Sequence, residues 1–186
     1  MKKLFLIVLC ASLFVGCKKE TAAEPATTES AVTDSTATKA IAPVEFADAK
    51  YSEIGKKALD ALSKGNMDGW MSNYADNAKY YWNSGDSLVG KPAIDKYWRD
   101  RRMNVIESIT FAKDIWLPIK VNEKGNIPMD GYWLLSWYET TAKYKGGKSM
   151  TQWIHTTFHF DANDKIDMVH QYVDKSVIMA AMPQKK

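Results

Sequence analysis

Cysteine is nearly absent from this chain of 186 residues, since its two cysteines, Cys10 and Cys17, both fall within the first 17 positions. Residues 44–186, which we predict to form one folded domain, therefore contain no thiol. This excludes disulfides, thiolate metal sites and cysteine nucleophiles from that domain. The reactive chemistry of the domain must come from other residue types.

Long hydrophobic runs are also lacking, apart from the twelve-residue stretch Leu4–Val15. This stretch is too short to span a bilayer. Two lysines precede it and Gly16-Cys17 follows it, which is the order of a secretory signal. The tail Phe14-Val15-Gly16-Cys17 resembles a lipobox, which implies acylation of the cysteine. We therefore predict a signal peptide over residues 1–16 and attachment to the lipid bilayer through Cys17.

The segment from Lys18 to Pro43 contains no aromatic residue and is rich in Thr, Ala, Ser and Glu. Such a segment buries too little apolar surface to offset its ordering entropy, so we predict a disordered tether over residues 17–43. Flexible-chain statistics place its ends roughly 25–30 Å apart. Lys18 stands directly after the cysteine in place of Asp, which resembles the pattern that permits transfer to an outer membrane. The expected location is the bacterial cell envelope, periplasmic or surface-facing.

The chain also carries little net charge. The formal net charge of +3 falls to about +1 when Lys2 and Lys3 leave with the signal peptide. A nearly neutral chain is not expected to bind nucleic acid.

The pattern after the tether predicts helices first and strands afterwards. Ile54, Ala58, Ala61 and Leu62 fall on one helical face, and this helix should end near Gly65. The further predicted elements are helices over 67–74 and from Gly90 onward, and strands over 78–82, 105–117, 131–143, 149–160 and 165–174. Gly-rich and Asn/Asp-rich turns separate the last three strands, which should form an antiparallel meander. This order predicts the α+β class.

Three pieces of sequence and a closing phrase carry a family resemblance. The pieces are Gly65–Trp70, Tyr74-Ala75-Asp76 and Gly90–Tyr97, and the closing phrase runs from Phe158 to Asp174. In this order they resemble the nuclear-transport-factor-2-like superfamily, SnoaL-like branch. The resemblance implies a cone: a curved antiparallel sheet wrapped on about three N-terminal helices, with a pocket at its mouth.

Enzymes of that superfamily place acid–base residues inside the cone. The resemblance puts the acid–base positions of ketosteroid isomerases at Ala58, Trp82 and Thr156, none of which is a proton-transfer group here. That specific activity is therefore not expected. If the chain is a SnoaL-like enzyme of another kind, the candidate catalytic residues are His170, Asp174 and Asp76.

The three histidines are predicted to share one face of the sheet. If the last hairpin closes around residues 162–165, Thr156 lies opposite Gln171, and His155, His159 and His170 take the other side. His155 and His159 then lie about 13 Å apart, too far to share a metal. We expect neither a metal nor a cofactor. The histidines are read as surface or interface residues, with catalysis or ligand binding as the alternatives.

Aromatic residues are abundant, and all seven tryptophans lie in the folded part. They either pack the core or line an apolar pocket whose N–H and O–H groups orient a ligand. The predicted ligand-binding residues are Trp70, Tyr74, Trp82, Trp98, Trp137, Thr156, Phe158 and Gln171.

Two further expectations concern surfaces. Both faces of the strand around Trp133 and Trp137 are apolar, so a second subunit is expected to cover the outer face in a homodimer. The run Arg99-Asp100-Arg101-Arg102 ends the third helix, where an anionic ligand is an alternative at the cone mouth.

The sequence leads to three hypotheses of function. The first is a membrane-anchored envelope protein that binds a small apolar ligand or a partner in the aromatic pocket. The second is a SnoaL-like acid–base enzyme of the isomerase, dehydratase or cyclase type. The third is a dimeric interaction module.

Overall fold

The structure, a computed structural model, describes residues 41–123 and 125–183. In chain order these residues form β1 (Val44–Phe46), α1 (Lys50–Lys64), α2 (Met67–Met71), β2 (Tyr74–Trp82), β3 (Ser87–Val89), α3 (Lys91–Asp100), β4 (Ile106–Val121), β5 (Gly131–Tyr144), β6 (Ser149–Phe160), β7 (Ile166–Tyr172) and α4 (Lys175–Ala181). A π-helical turn, Arg101–Val105, extends α3. The predicted signal peptide, Cys17 and the predicted tether up to residue 40 lie outside the described residues.

The seven strands of the described ranges form one sheet in the order β1-β4-β5-β6-β7-β2-β3. The predicted α+β class and the antiparallel meander β5-β6-β7 are confirmed. One pair differs from the expected antiparallel sheet, because β2 runs parallel to β7. A long stretch of chain separates these two strands, so no tight hairpin forces them to run in opposite directions.

The sheet bends around α1. The longest strand, β4, shifts its register against β5 between Ala112 and Ile115, and Lys113 adopts a positive φ of 53° at this bulge. A bulge of this kind bends a strand and increases its twist. The concave side that results faces the helices.

Helix α1 ends where the sequence predicts. Its apolar face, including Ala58, Ala61 and Leu62, is buried against the sheet. The helix ends at Gly65, whose φ of 73° lies in the left-handed region that favours glycine, and the Gly65 N–H donates to the carbonyls of Ala61 and Leu62. The predicted end of this helix is therefore confirmed.

Helix α2 is shorter than predicted. It ends at Met71, and Tyr74 is the first residue of β2 rather than the last of a helix. The side-chain amide of Asn73 donates to the carbonyls of Gly69 and Trp70, so a side chain satisfies acceptors at the helix end. Strand β2 therefore begins at Tyr74, four residues before the start predicted at residue 78.

Three elements were not predicted from the sequence: β1, β3 and α4. The side chain of Asp174 caps α4 by accepting hydrogen bonds from the N–H and the hydroxyl of Ser176. The other end of α4 contacts the β5–β6 turn, where the Lys148 N–H donates to the Ala181 carbonyl at 2.7 Å.

The described part of the predicted tether contacts the domain. The carbonyl of Pro43 accepts a hydrogen bond from the Asn122 N–H at 2.9 Å, and the Asn122 side chain donates to the Ala42 carbonyl. No helix within the described ranges is long and apolar enough to cross a membrane.

Helix α1 lies unusually close to the sheet at Gly55. A Cβ atom at this position would stand 2.6 Å from the Trp116 ring and 2.7 Å from Leu134. Gly55 therefore sets the distance between α1 and the concave side of the sheet.

We expect Gly55→Ala to destabilise the fold by about 1–3 kcal/mol, because the added methyl group overpacks this contact. Lys57→Ala, an exposed substitution on the same helix, should change stability by less than about 0.5 kcal/mol. Urea unfolding of both variants measures the difference. Equal stability of the two variants would contradict the close packing.

Candidate functional site

A cavity of about 280 Å³ lies between the helices and the concave side of the sheet. Its lining is mostly aromatic and aliphatic, and comprises Leu59, Leu62, Trp70, Tyr74, Tyr80, Trp82, Tyr97, Trp98, Arg101, Ile106, Ile109, Phe111, Tyr138, Thr140, Ala142, Tyr144, Met150, Ile154, Thr156, Phe158, Gln171, Val173, Lys175, Ile178, Met179 and Met182. No Asp, Glu or His is in this lining.

The cavity lies where three clusters of core side chains meet. Phe158 belongs to the cluster beneath α1 and α2. Met150 belongs to the cluster beside α4, and Ile154 belongs to a third cluster. All three residues line the cavity. Because each cluster contributes wall residues, the space is part of the core.

A chain of hydrogen bonds crosses one wall. The Trp82 indole N–H donates to the Gln171 side-chain carbonyl at 3.1 Å, and the Gln171 amide donates to the Thr156 hydroxyl at 3.4 Å. That hydroxyl also shares a 2.7 Å hydrogen bond with the phenol of Tyr138. These four side chains satisfy one another in a buried setting, as buried polar groups must.

Two other polar groups of the lining have no hydrogen-bond partner among the described residues. They are the indole N–H of Trp98 and the hydroxyl of Thr140, both buried. The Thr140 residue is only 1% exposed. A buried polar group without a partner costs free energy.

Burial holds three tyrosines of the cavity, Tyr74, Tyr80 and Tyr138, in their neutral form. It raises the pKa of Tyr74 and of Tyr80 well above the usual value of 10. It also raises the pKa of Tyr138 to about 12, although the hydrogen bond between Tyr138 and Thr156 opposes the shift. These phenols are therefore hydrogen-bonding groups at neutral pH and not bases.

Seven of the eight predicted ligand-binding residues line the cavity. They are Trp70, Tyr74, Trp82, Trp98, Thr156, Phe158 and Gln171. The predicted pairing of Thr156 with Gln171 across the last hairpin is confirmed.

Trp137, the eighth predicted residue, does not line the cavity. The side chains of Ser136 and Tyr138 are buried toward the helices, so alternation along β5 directs Trp137 to the outer face. There its indole stacks on the His155 imidazole, with ring centroids 4.6 Å apart.

None of the three candidate catalytic residues lines the cavity. His170 stacks on Tyr81 on the outer face, and burial lowers the pKa of its imidazole. Asp174 is the cap of α4, and its hydrogen bonds from Ser176 lower the pKa of its carboxyl. Asp76 is exposed near the start of β2. An inward-facing role for these residues is therefore not supported by their positions.

The histidines occupy the predicted outer face of β6 and β7. The Nδ1 atom of His159 lies 2.5 Å from a carboxylate oxygen of Asp167, and its Nε2 lies 2.9 Å from the carbonyl oxygen of Asp130. His159 therefore joins β7 to the loop before β5. No group of His, Cys, Asp and Glu within the described ranges could hold a metal ion.

Several lining residues were missed from the sequence. Leu134, Ser136, Tyr138 and Thr140 are alternate residues of β5, and all four face inward. The alternation that begins at Leu134 and Ser136 therefore predicts Tyr138 and Thr140 as inward-facing residues. The residues of α4 carried only a weak cue, the capping pair Asp174 and Ser176.

Solved structures show what this arrangement is similar to. A protein from Pseudomonas putida KT2440 described as a polyketide cyclase matches 71% of this chain and 97% of its own, at 13% identity and a TM-score of 0.59. A nuclear-transport-factor-2-like protein of unknown function from Burkholderia pseudomallei K96243 matches 72% and 98%, at 11% identity and a TM-score of 0.58.

A third structure is a hypothetical protein with a ketosteroid isomerase-like fold from Catenulispora acidiphila DSM 44928, solved in complex with trimethylamine. It matches 70% of this chain and 92% of its own, at 16% identity and a TM-score of 0.53. No protein-family model and no curated protein sequence matches the chain. The chain thus has the nuclear-transport-factor-2-like fold.

Two threonines of the cavity allow a matched test of its hydrogen bonds. Thr156→Val should destabilise the fold by about 1–3 kcal/mol, because it leaves the Tyr138 and Gln171 groups without their partner. Thr140→Val removes a hydroxyl that has no partner among the described residues, so stability should stay equal or rise by about 1 kcal/mol.

Urea unfolding of the two variants compares the same chemical change at two buried sites. A loss of similar size at both positions would show that Thr140 has a partner in the folded protein.

Proposed function

We propose that the protein is a lipid-anchored envelope protein that binds a small, mostly apolar molecule in the cavity. The observation that carries this proposal is an aromatic cavity whose lining residues include two unpartnered hydrogen-bonding groups and no carboxylate or imidazole. Such a combination is typical of binding sites, in which apolar walls supply affinity and a few polar groups supply orientation.

The size of the cavity limits the ligand. An apolar cavity of about 150 Å³ is large enough for benzene. The present cavity of about 280 Å³ is nearly twice that size, so it fits a molecule of roughly two rings or an equivalent aliphatic chain. It is at the lower limit of the range for ligand pockets, about 300–1,000 Å³.

The chemistry of the lining favours binding over acid–base catalysis. A general base must reach the proton that it removes and must be unprotonated at the working pH. The titratable side chains of the lining are tyrosines, Arg101 and Lys175. Burial keeps Tyr74, Tyr80 and Tyr138 protonated, and the Lys175 ammonium pairs with Asp86. None of these groups is therefore available as a general base.

The neutral two-ring compound 2-naphthamide tests the proposal. We expect it to bind the full-length protein reconstituted in phosphatidylcholine vesicles and to change the tryptophan fluorescence, because Trp70, Trp82 and Trp98 line the cavity. Protein-free vesicles provide the blank.

Two variants locate the binding. Ala142→Phe places a ring in the cavity and should abolish the response, whereas Trp153→Phe alters an exposed indole outside it and should retain the response. Circular dichroism checks that both variants fold. Absence of any saturable response in the unmodified protein, or an equal response in a folded Ala142→Phe variant, would overturn the proposal.

The membrane anchor is the second part of the proposal, and it rests on the lipobox-like sequence that ends at Cys17. We expect Cys17→Ser to abolish incorporation of labelled palmitate and to move the protein out of the membrane fraction of the bacterial envelope. Cys10→Ser alters the other cysteine and should leave acylation and fractionation unchanged. Continued labelling of the Cys17→Ser protein would contradict this site of attachment.

A further inference from the structure

Three arginines end α3 and its π-helical turn, and their partners differ. The Arg99 guanidinium pairs with the carboxylates of Asp68 and Asp95. The Arg102 guanidinium donates to the carbonyls of Leu62 and Ser63 at 2.9 and 2.8 Å. Both side chains are thus tied to protein acceptors.

Arg101 differs because it lines the cavity and forms no ion pair with a carboxylate of the described residues. Its guanidinium lies over the Tyr97 ring, 5.5 Å from the centroid, and beside the Tyr144 hydroxyl. A guanidinium has five N–H donors, and one phenol oxygen cannot satisfy them all. Arg101 therefore lines the cavity as a charged side chain with more donors than its neighbours Tyr97 and Tyr144 can satisfy.

The two unpartnered polar groups of the lining residues are hydrogen-bond donors as well. Trp98 precedes Arg101 by three residues, a spacing that makes two side chains neighbours on a helical surface. Its indole N–H can only donate, and the Thr140 hydroxyl can also donate. Each of these three side chains can therefore donate a hydrogen bond to an acceptor.

The charge balance of the lining points in the same direction. Arg101 and Lys175 are its cations, and no carboxylate is part of it. The charge of Lys175 is compensated by Asp86, so one positive charge is left. A planar guanidinium fits the two oxygens of a carboxylate in a bidentate manner.

We infer that the ligand is an apolar carboxylate, with its carboxylate bound by Arg101 and its apolar body among the aromatic side chains of the cavity. This inference rests on the proposed function, since it specifies the chemical class of the molecule bound in the same cavity.

The matched pair 2-naphthoate and 2-naphthamide tests the charge while the two-ring body stays the same. Both compounds are titrated at pH 7 into the full-length protein in phosphatidylcholine vesicles, with protein-free vesicles as the blank. Naphthoate should bind about tenfold more tightly than naphthamide, or better, because charge-assisted hydrogen bonds are stronger than neutral ones.

Arg101→Gln should remove the preference, so that this variant binds naphthoate no more tightly than naphthamide. Arg101→Lys keeps the charge without the planar fork and should retain part of the preference. The control Lys96→Gln removes one positive charge from an exposed position of α3 and should leave both affinities unchanged. Urea midpoints check that every variant is folded.

The outcomes separate the inference from the proposed function. If naphthamide binds and naphthoate binds no more tightly, the carboxylate inference fails and the binding function stands. If neither compound binds, both fail. A preference for naphthoate that a folded Arg101→Gln variant retains would also overturn the role of Arg101.

Discussion

The interior of this domain depends on the register between β6 and β7, in which Thr156 lies opposite Gln171. Side chains alternate along a strand, so this one pairing decides which residues of both strands face the helices. It directs Thr156, Phe158, Gln171 and Val173 inward and leaves the histidines outside. A slip by one residue would bury imidazoles in an apolar cavity and expose Phe158. The hydrogen bonds among Trp82, Gln171, Thr156 and Tyr138 oppose such a slip, because each would lose its partner.

The same register explains why the side chains of the cavity lining include no carboxylate and no imidazole. The lining contains phenols, an amide, hydroxyls and indoles instead. Arg101 and Lys175 are its cations, and Arg101 differs from Lys175 because its partners are an aromatic ring and a phenol rather than a carboxylate. In such surroundings a charge has a stronger effect than it would in water, because the local dielectric constant is lower.

Much of the fold could be predicted from local patterns in the sequence. The period of α1 and its glycine stop, the three long strands of the meander and the facing of β6 and β7 follow from alternation and turn residues, which act over short distances. Trp137 was placed on the wrong face because an aromatic residue fits either face of a strand, and only the burial of its neighbours Ser136 and Tyr138 decides between them.

Other features depend on contacts between distant segments, which no local pattern encodes. The short strand β1 exists through its pairing with β4, and α4 is placed by contacts with the β5–β6 turn and by the pairing of Lys175 with Asp86. The carboxyl-terminal helix supplies Ile178 and Met182 to the cavity, so part of the candidate site lay beyond the reach of sequence periodicity. The predicted anchor and the expected second subunit stay predictions.

The wall of the cavity draws on residues from Leu59, in the first helix, to Met182, just after the last. The complete wall therefore exists only when the chain between these two residues has folded. A molecule that binds there therefore has no affinity for the unfolded chain, and its binding energy adds to the free energy of unfolding. Occupancy of the cavity would thus set the lifetime of the whole domain, and a protein without its ligand would be the more easily degraded form.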